Sequence, residues 1–436
     1  MPIRGVEGEL LDNAENYKAQ TLKFQIKLKS IFSFSLGTII SRISGLLREV
    51  IIAYLLGASN KSDAFFVAFR IPNLFRDLLG DQAMNNAFIP AYAQSNYSKK
   101  FLWAIFFQFL SIVLIINLIL ILLTKQIIMI TAPGFLKETE KFNLTIILTY
   151  ITLPSLFFFS LSALLSAVLN TKRKFFLTSI SPSIINFSII LFGFLLDIDK
   201  AIALSIGFTL GTIAQSLLLF LFLKEKFEKP DFKDPSIKTF YKLLFPVLLA
   251  YGFNEINLFF STFIASFFEE GSISYLNYAF RIFHFPLAIT GIAISNVAIV
   301  NFTSSNNPKE QLKKSLKINF IITIPITIIF IVFSKFIVQV LYQRGSFNEN
   351  DTYITTIVLI IYLLSLPFSS SSKILTSYAF AIKDIKNANL SFIIGAIVDI
   401  LTMIIFSFFI GFYAIALGNF TSALLRHIYL VRCYRL

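Results

Sequence analysis

The sequence predicts an all-α polytopic membrane protein, with about 12 transmembrane helices in two parallel-repeat six-helix lobes around a central cavity. Three observations lead there. Of 436 residues 56% are apolar, 52 of them Phe, and mean hydropathy is +0.76, more apolar than a chain whose only solvent is water. Apolar runs of roughly 20 residues recur from end to end, and at about 1.5 Å per residue each can cross a hydrocarbon layer of about 30 Å as a helix. Finally, Ala68-Phe69-Arg70-Ile71 returns as Ala279-Phe280-Arg281-Ile282 at an offset of 211, with Phe135 matching Phe347 and Pro154 matching Pro367 in the same order. Six spans separate the partners, so the halves share one orientation and are related by an axis along the membrane normal.

In order, spans are expected near 31–56, 64–94, 101–123, 143–169, 176–196, 201–223, 239–266, 273–302, 318–341, 353–381, 389–409 and 412–431. Residues 1–30 carry Glu7, Glu9, Asp12 and Glu15 and lack an apolar signal-peptide core, so they are expected to form a retained polar cytosolic segment ahead of an uncleaved first span. The N-lobe then covers 31–224, a basic cytosolic linker 225–238, and the C-lobe 239–436. With the N-terminus inside, the cytosolic connections carry about 16 Lys and Arg, from Lys99 and Lys100 to Lys383 and Lys386. The opposite side has about 6: Lys61, Lys125, Lys137, Lys141, Lys200 and Arg344. That imbalance predicts cytosolic termini.

Some charges sit where a membrane should exclude them. Arg42, Arg48 and Glu49 fall in the first span, Arg70, Arg76, Asp77 and Asp81 in the second, and Arg281 in the eighth. Each costs about 2.5–3.5 kcal/mol at mid-bilayer, so each must face protein or water. At about 100° per residue Arg70, Asn73, Asp77 and Asp81 share one stripe, and Arg42 stacks with Glu49. Five arginines outnumber three acids. An anionic ligand is the simplest missing partner, and a guanidinium fork suits phosphate oxygens. Glu255, Asp399 and Lys373 are further intramembrane charges; the two acids are candidates for a coupling cation, with a local pair to Lys373 or a hydroxyl as the plainer alternative.

Other chemistry has no foothold. The net charge of +14 lies mostly between spans, which argues for a membrane and not a nucleic acid. Cys433 stands alone, and His284 and His427 are too isolated for a metal site. No Walker loop, dinucleotide fingerprint or nucleophile triad occurs, so neither a cofactor nor an enzyme activity is expected. Pro72, Pro154, Pro182, Pro246, Pro286, Pro325 and Pro367 interrupt spans and should bend helices.

One stretch is specific. Ser41-Arg42-Ile43-Ser44-Gly45-Leu46-Leu47-Arg48, Gly57-Ala58, Asp63 through Arg76 and Ala87-Phe88-Ile89-Pro90 closely resemble the MurJ (MviN) family of bacterial lipid II flippases. Weaker matches continue through Thr131–Phe135, Leu169-Asn170, Ser181-Pro182, Tyr278-Ala279, Phe285-Pro286, Leu341–Gln343 and Asp384, so the resemblance covers nearly all of the chain after residue 30. It implies a fold like the multidrug and oligosaccharidyl-lipid exporters, a bacterial inner-membrane location, and a cationic cavity with alternating access. The resemblance places the family's cavity arginines on Arg42, Arg48, Arg76 and Arg281, and other sensitive positions on Ser41, Asn73, Asp63 and Asp81. Glu49 stands for the usual Asp, Phe280 for the acid before the arginine of the eighth span, Gln82 for a Gly, and Ser261 for an Asp linked to sodium. The family usually has fourteen spans, of which this sequence supplies about twelve.

The expected function is therefore movement of lipid II, an undecaprenyl-diphosphate-linked disaccharide peptide, from the cytoplasmic to the outer leaflet. Its expected partners are that lipid, membrane lipids and a coupling cation. Two alternatives are an exporter of another polyprenyl-linked glycan or organic solute, and a non-transporting scaffold for cell-wall synthesis.

Overall fold

A computed structural model describes residues 32–79, 81–304 and 307–435. The polar segment expected over 1–30 lies outside these residues. Helix α1 covers 32–56. It is followed by α2 (Asn60–Leu79), α3 (Asp81–Gln94), α4 (Lys99–Leu122), the short α5 (Thr124–Thr131), α6 (Thr139–Thr152), α7 (Ser155–Thr171), α8 (Phe175–Ile180), α9 (Pro182–Leu195) and α10 (Lys200–Leu223). After a connection come α11 (Pro235–Ala265), α12 (Ser272–Leu287), a π turn (Ala288–Ile292), α13 (Ala293–Ser304), α14 (Pro308–Val332) and α15 (Ser334–Tyr342). The last four are α16 (Glu349–Leu364), α17 (Leu366–Ala381), α18 (Ile385–Ile410) and α19 (Tyr413–Tyr434).

Nine helical stretches among the described residues are long and apolar enough to cross a membrane. The other three expected spans fall on α1, on α2 with α3, and on α11. These are helical but carry the arginines, acids and lysines already singled out. Their polarity is what a cavity wall requires, since a charge facing lipid would be far more costly.

The element order repeats. α4, α5, α6 and α7 are echoed by α14, α15, α16 and α17, and the pair α9–α10 by α18–α19. Packing repeats with it: α2 lies on α6 as α12 lies on α16, and α4 on α7 as α14 on α17. Local signals repeat too. Ser98 caps α4 by accepting from the Phe101 amide, and Asn307 caps α14 from the corresponding place by accepting from Glu310. Both side-chain caps satisfy amides that the first helical turn leaves open.

Prolines divide several expected single spans. Pro154 and Pro182 sit at the starts of α7 and α9, Pro367 opens α17, and the π turn follows Pro286. A proline removes one helical hydrogen bond and crowds the turn before it, so the axis shifts there. The ninth span is displaced: 318–341 was expected, whereas α14 begins at Pro308 and ends at Val332. Lys309, Lys313, Lys314 and Lys317 occupy its first turns, and the apolar run beyond Val332 belongs to α15.

Three apolar clusters hold the bundle. One joins α3, α4, α7, α10 and α11, a second joins α13, α14, α17 and α19, and the largest ties α1, α2 and α6 to α12, α15 and α16. In the last, Phe66 meets Tyr278 edge-on with ring centroids 5.4 Å apart, and Tyr278 donates its hydroxyl to the Gly57 carbonyl at 3.0 Å. Within the paired helices, glycines allow backbone contact. A Cβ on Gly207 would lie 2.8 Å from the Ser188 carbonyl oxygen, and one on Gly211 would lie 2.8 Å from Ile185 Cα. A Cβ on Gly418 would lie 3.0 Å from the Asp399 backbone oxygen in the equivalent pair α18–α19.

Candidate functional site

Arg48 and Glu49 leave α1 side by side at its seam with α12. Both are buried, and neighbouring carboxylate and guanidinium pair directly. Arg48 Nη1 donates to Asn186 Oδ1 of α9 at 3.0 Å, and its guanidinium lies over the Phe69 ring at 5.2 Å. Arg281 of α12 donates Nη2 to the same Glu49 Oε1 at 3.0 Å, while 51% of its side chain remains exposed. Two guanidiniums therefore share one carboxylate, and the more exposed of them carries the surplus charge into open space. A surplus of this kind in a low-dielectric wall is a site for an oxyanion.

The group extends beyond this trio. Arg76 stacks over Phe159 at 5.7 Å and lies within electrostatic reach of Arg48. His284, one turn beyond Arg281, is within reach of Arg281, Lys373 and Arg42. Arg42 and Ser41 line a cavity of about 490 Å³ with Asn85, Asn170, Thr178 and Ser179, between α1, α3, α7 and α8. Asn170 there donates to Asn85 at 3.2 Å and accepts from Thr178 at 2.8 Å. Five of the expected cationic and hydroxyl positions (Ser41, Arg42, Arg48, Arg76 and Arg281) thus border one region.

Other expected residues sit elsewhere. Asn73 is buried and donates to the Phe69 carbonyl at 2.7 Å. Arg70 turns to α11, donates to the Leu258 carbonyl at 3.1 Å, and shares a small apolar cavity with Glu255. Asp63 is held at the α2–α12 junction. It accepts from the Gly271 amide at 2.9 Å, the Ser274 amide at 2.9 Å, the Ser274 hydroxyl at 2.7 Å and Lys141 at 2.9 Å. All its acceptor capacity goes to closing the first turn of α12 and to a buried ion pair. The side chains of Asp77 and Asp81 lie outside the described residues. Asp399 is buried on α18, and its Oδ1 has no hydrogen-bond partner among the described residues. Lys373, considered as its local partner, instead belongs electrostatically with His284 and Arg426.

Asn186, Phe69, His284 and Lys141 enter the site or its frame without having been singled out for it. Lys141 was assigned to an outer connection, yet it is buried against Asp63 and lies over the Phe135 ring at 4.3 Å. The repeat held a signal, because Lys141 falls 210 residues before Asp351, which accepts from Tyr275 at 2.9 Å in the other half.

Both halves also meet through glycines at one end of the bundle. Ser346 donates its amide to the Tyr54 carbonyl at 2.9 Å, and a Cβ on Gly345 would collide with Tyr54. Gly134 donates to Ser266 Oγ at 3.0 Å, and a Cβ there would collide with the Ser266 carbonyl. Gly345 also has φ +60°, which side chains disfavour.

Known proteins are similar to this chain in sequence and fold. The family described as lipid II flippase MurJ matches residues 52–435. A probable lipid II flippase MurJ of Aquifex aeolicus (strain VF5) is 35% identical over 389 residues, which are 87% of this chain and 77% of the relative. One of Rickettsia prowazekii (strain Madrid E) is 34% identical over 375 residues, 80% of this chain and 72% of the relative. Among solved structures, a lipid II flippase MurJ in an inward closed conformation has a TM-score of 0.84 at 31% identity, covering 92% of this chain and 87% of that one. An inward-facing multidrug resistance MATE family transporter of the MOP superfamily has a TM-score of 0.71 at 14% identity, covering 93% and 98%, a likeness of fold.

Proposed function

This chain belongs to the lipid II flippase MurJ family, and from that premise we propose that it moves lipid II from the cytoplasmic to the outer leaflet of the bacterial inner membrane by alternating access. The observation that supports this most directly is the sharing of Glu49 by Arg48 of its own half and Arg281 of the other. A diphosphate supplies the second negative charge that this group lacks, and its non-bridging oxygens suit guanidinium forks. When the headgroup binds, Arg281 exchanges part of its bond to Glu49 for the substrate. The tie between halves thereby becomes dependent on occupancy, which is how a ligand biases one arrangement of a carrier over another. The polyprenyl tail remains in the bilayer.

In this reading the chain makes twelve spans with both termini cytoplasmic, an N-lobe over 31–224, a linker over 225–238 and a C-lobe over 239–436. The glycine contacts at Gly134 and Gly345 then close the outer side. Ser41, Arg42 and Arg76 line the path of the headgroup, and Asp63 fixes the frame around it. The chain does no covalent chemistry. Asp399, whose Oδ1 has no hydrogen-bond partner among the described residues, is the better placed of the two acids for a coupling cation, since Glu255 lies beside Arg70.

The test replaces the host's own lipid II flippase with this chain and measures lipid II exposed on the outer leaflet. Arg48→Ala and Arg281→Ala should each lower exposure by about tenfold or more, each lost charge-assisted contact being of order 1.5–3 kcal/mol. Undiminished exposure with either variant at normal protein level overturns the proposal.

A further inference from the structure

Two cations on α17 and α19 have no role in the pair at Glu49. Arg426 reaches from α19 across to α18, where the missing side chain of Gly395 makes a notch for its stem. A Cβ on Gly395 would lie 2.9 Å from Arg426 Cγ and collide with Cδ. The guanidinium lies over the Phe392 ring at 4.4 Å, and its buried Nε has no hydrogen-bond partner among the described residues. Among the described residues it forms no ion pair with a carboxylate. Another cation, Lys373 of α17, lies within its electrostatic reach. Lys373 in turn lies within reach of His284, which neighbours Arg281 and Arg42. A row of basic side chains therefore leads from the Glu49 pair across α12 to α17 and α19.

Depth narrows the ligand. Lys373 lies eight residues before Ala381 at the end of α17, and Arg426 eight residues before Tyr434 at the end of α19. At about 1.5 Å per residue both sit roughly 12 Å inside the same face of the bundle. A phospholipid headgroup resting at the interface would meet the helix ends instead. Arg426, half-buried with a preformed notch and an aromatic platform, and the exposed Lys373 within its electrostatic reach together attract an anion.

We propose that Lys373 and Arg426 form a second phosphoryl-holding station, entered from the central cavity, for the diphosphate of a polyprenyl lipid. The station deepens the reading above and rests on it for the ligand's route. Substrate released from Arg281 is received at Lys373 and held by Arg426 while its sugar and peptide occupy the cavity.

The full chain in nanodiscs of zwitterionic lipid is titrated separately with undecaprenyl diphosphate and dioleoyl phosphatidylglycerol, and Kd is read by native mass spectrometry. Lys373→Gln and Arg426→Gln should each weaken undecaprenyl diphosphate by about tenfold, Arg426→Lys should recover part of the loss, and phosphatidylglycerol should be unaffected. Gly395→Ala keeps both charges, displaces the Arg426 stem and should weaken binding in the same direction. Unchanged undecaprenyl diphosphate affinity in the folded Gln variants overturns the station, and so does a loss confined to phosphatidylglycerol. Arg281→Gln separates the two readings. If it abolishes binding while the Gln variants at 373 and 426 do not, the cavity stands and the station falls; if it too leaves binding unchanged, the cavity reading falls as well.

Discussion

Arg281 of one half donates to Glu49 of the other at 3.0 Å, and Glu49 is simultaneously the counter-ion of the buried Arg48. Neutralising that carboxylate leaves two guanidiniums facing each other. Glu49→Gln should destabilise the folded chain by about 3–5 kcal/mol, as expected when one partner of a buried pair is removed, and thermal unfolding in detergent measures it. Glu49→Asp should retain most of the stability.

Asp63 predicts a loss of a different kind. Its four acceptor bonds fasten α2 to α6 and to the first turn of α12. Asp63→Asn should cost about 3–5 kcal/mol by stranding the buried Lys141. Adding Lys141→Met should return a large part of that, because an apolar pair removes the uncompensated charge. Failure of the double variant to recover, read by the same melting experiment, would place the value of Asp63 in the α12 cap alone.

Asn186 orients Arg48 without carrying charge. Asn186→Leu removes the bond to Nη1 and should cost about 1.5–3 kcal/mol of the interactions made by Arg48. Outer-leaflet lipid II should fall by about tenfold, with a smaller change in melting than Glu49→Gln produces. A larger melting change than that of Glu49→Gln would make Asn186 a packing residue.

The glycine seam gives a prediction about access. Gly134→Val forces the loop off the Ser266 carbonyl. With Cys433→Ser to silence the native thiol, a reporter Ser266→Cys should react several-fold faster with a membrane-impermeant maleimide when Gly134→Val is added. Equal labelling rates would show that the seam closes without this contact.

Much of this was legible in the sequence where one physical effect dominated. The intramembrane cost of Arg48, Arg76 and Arg281 marked them as wall residues, and Arg76 and Arg281 each lie within electrostatic reach of Arg48. The repeat of Ala68–Ile71 at Ala279–Ile282 marked α2 and α12 as equivalents, and they carry equivalent packing. Asp63 was different. Composition shows an acid near the start of a span, but only the approach of α12 decides whether that acid faces a ligand or caps a helix. Lys141 failed for a related reason, since a lysine between apolar runs looks like a connection unless its partner 78 positions earlier is known to face it. Phe69 and Phe159 were indistinguishable from the other Phe residues, because stacking beneath a guanidinium leaves no periodic trace.

The glycines of α9–α10 and α18–α19 bear on how any rearrangement is distributed. With Gly207 against Ser188, Gly211 against Ile185 and Gly418 against Asp399, these hairpins have no slack for sliding. They behave as stiff plates, so displacement must be absorbed between plates, along the line where Glu49, Arg281 and Asp63 cross from one half to the other.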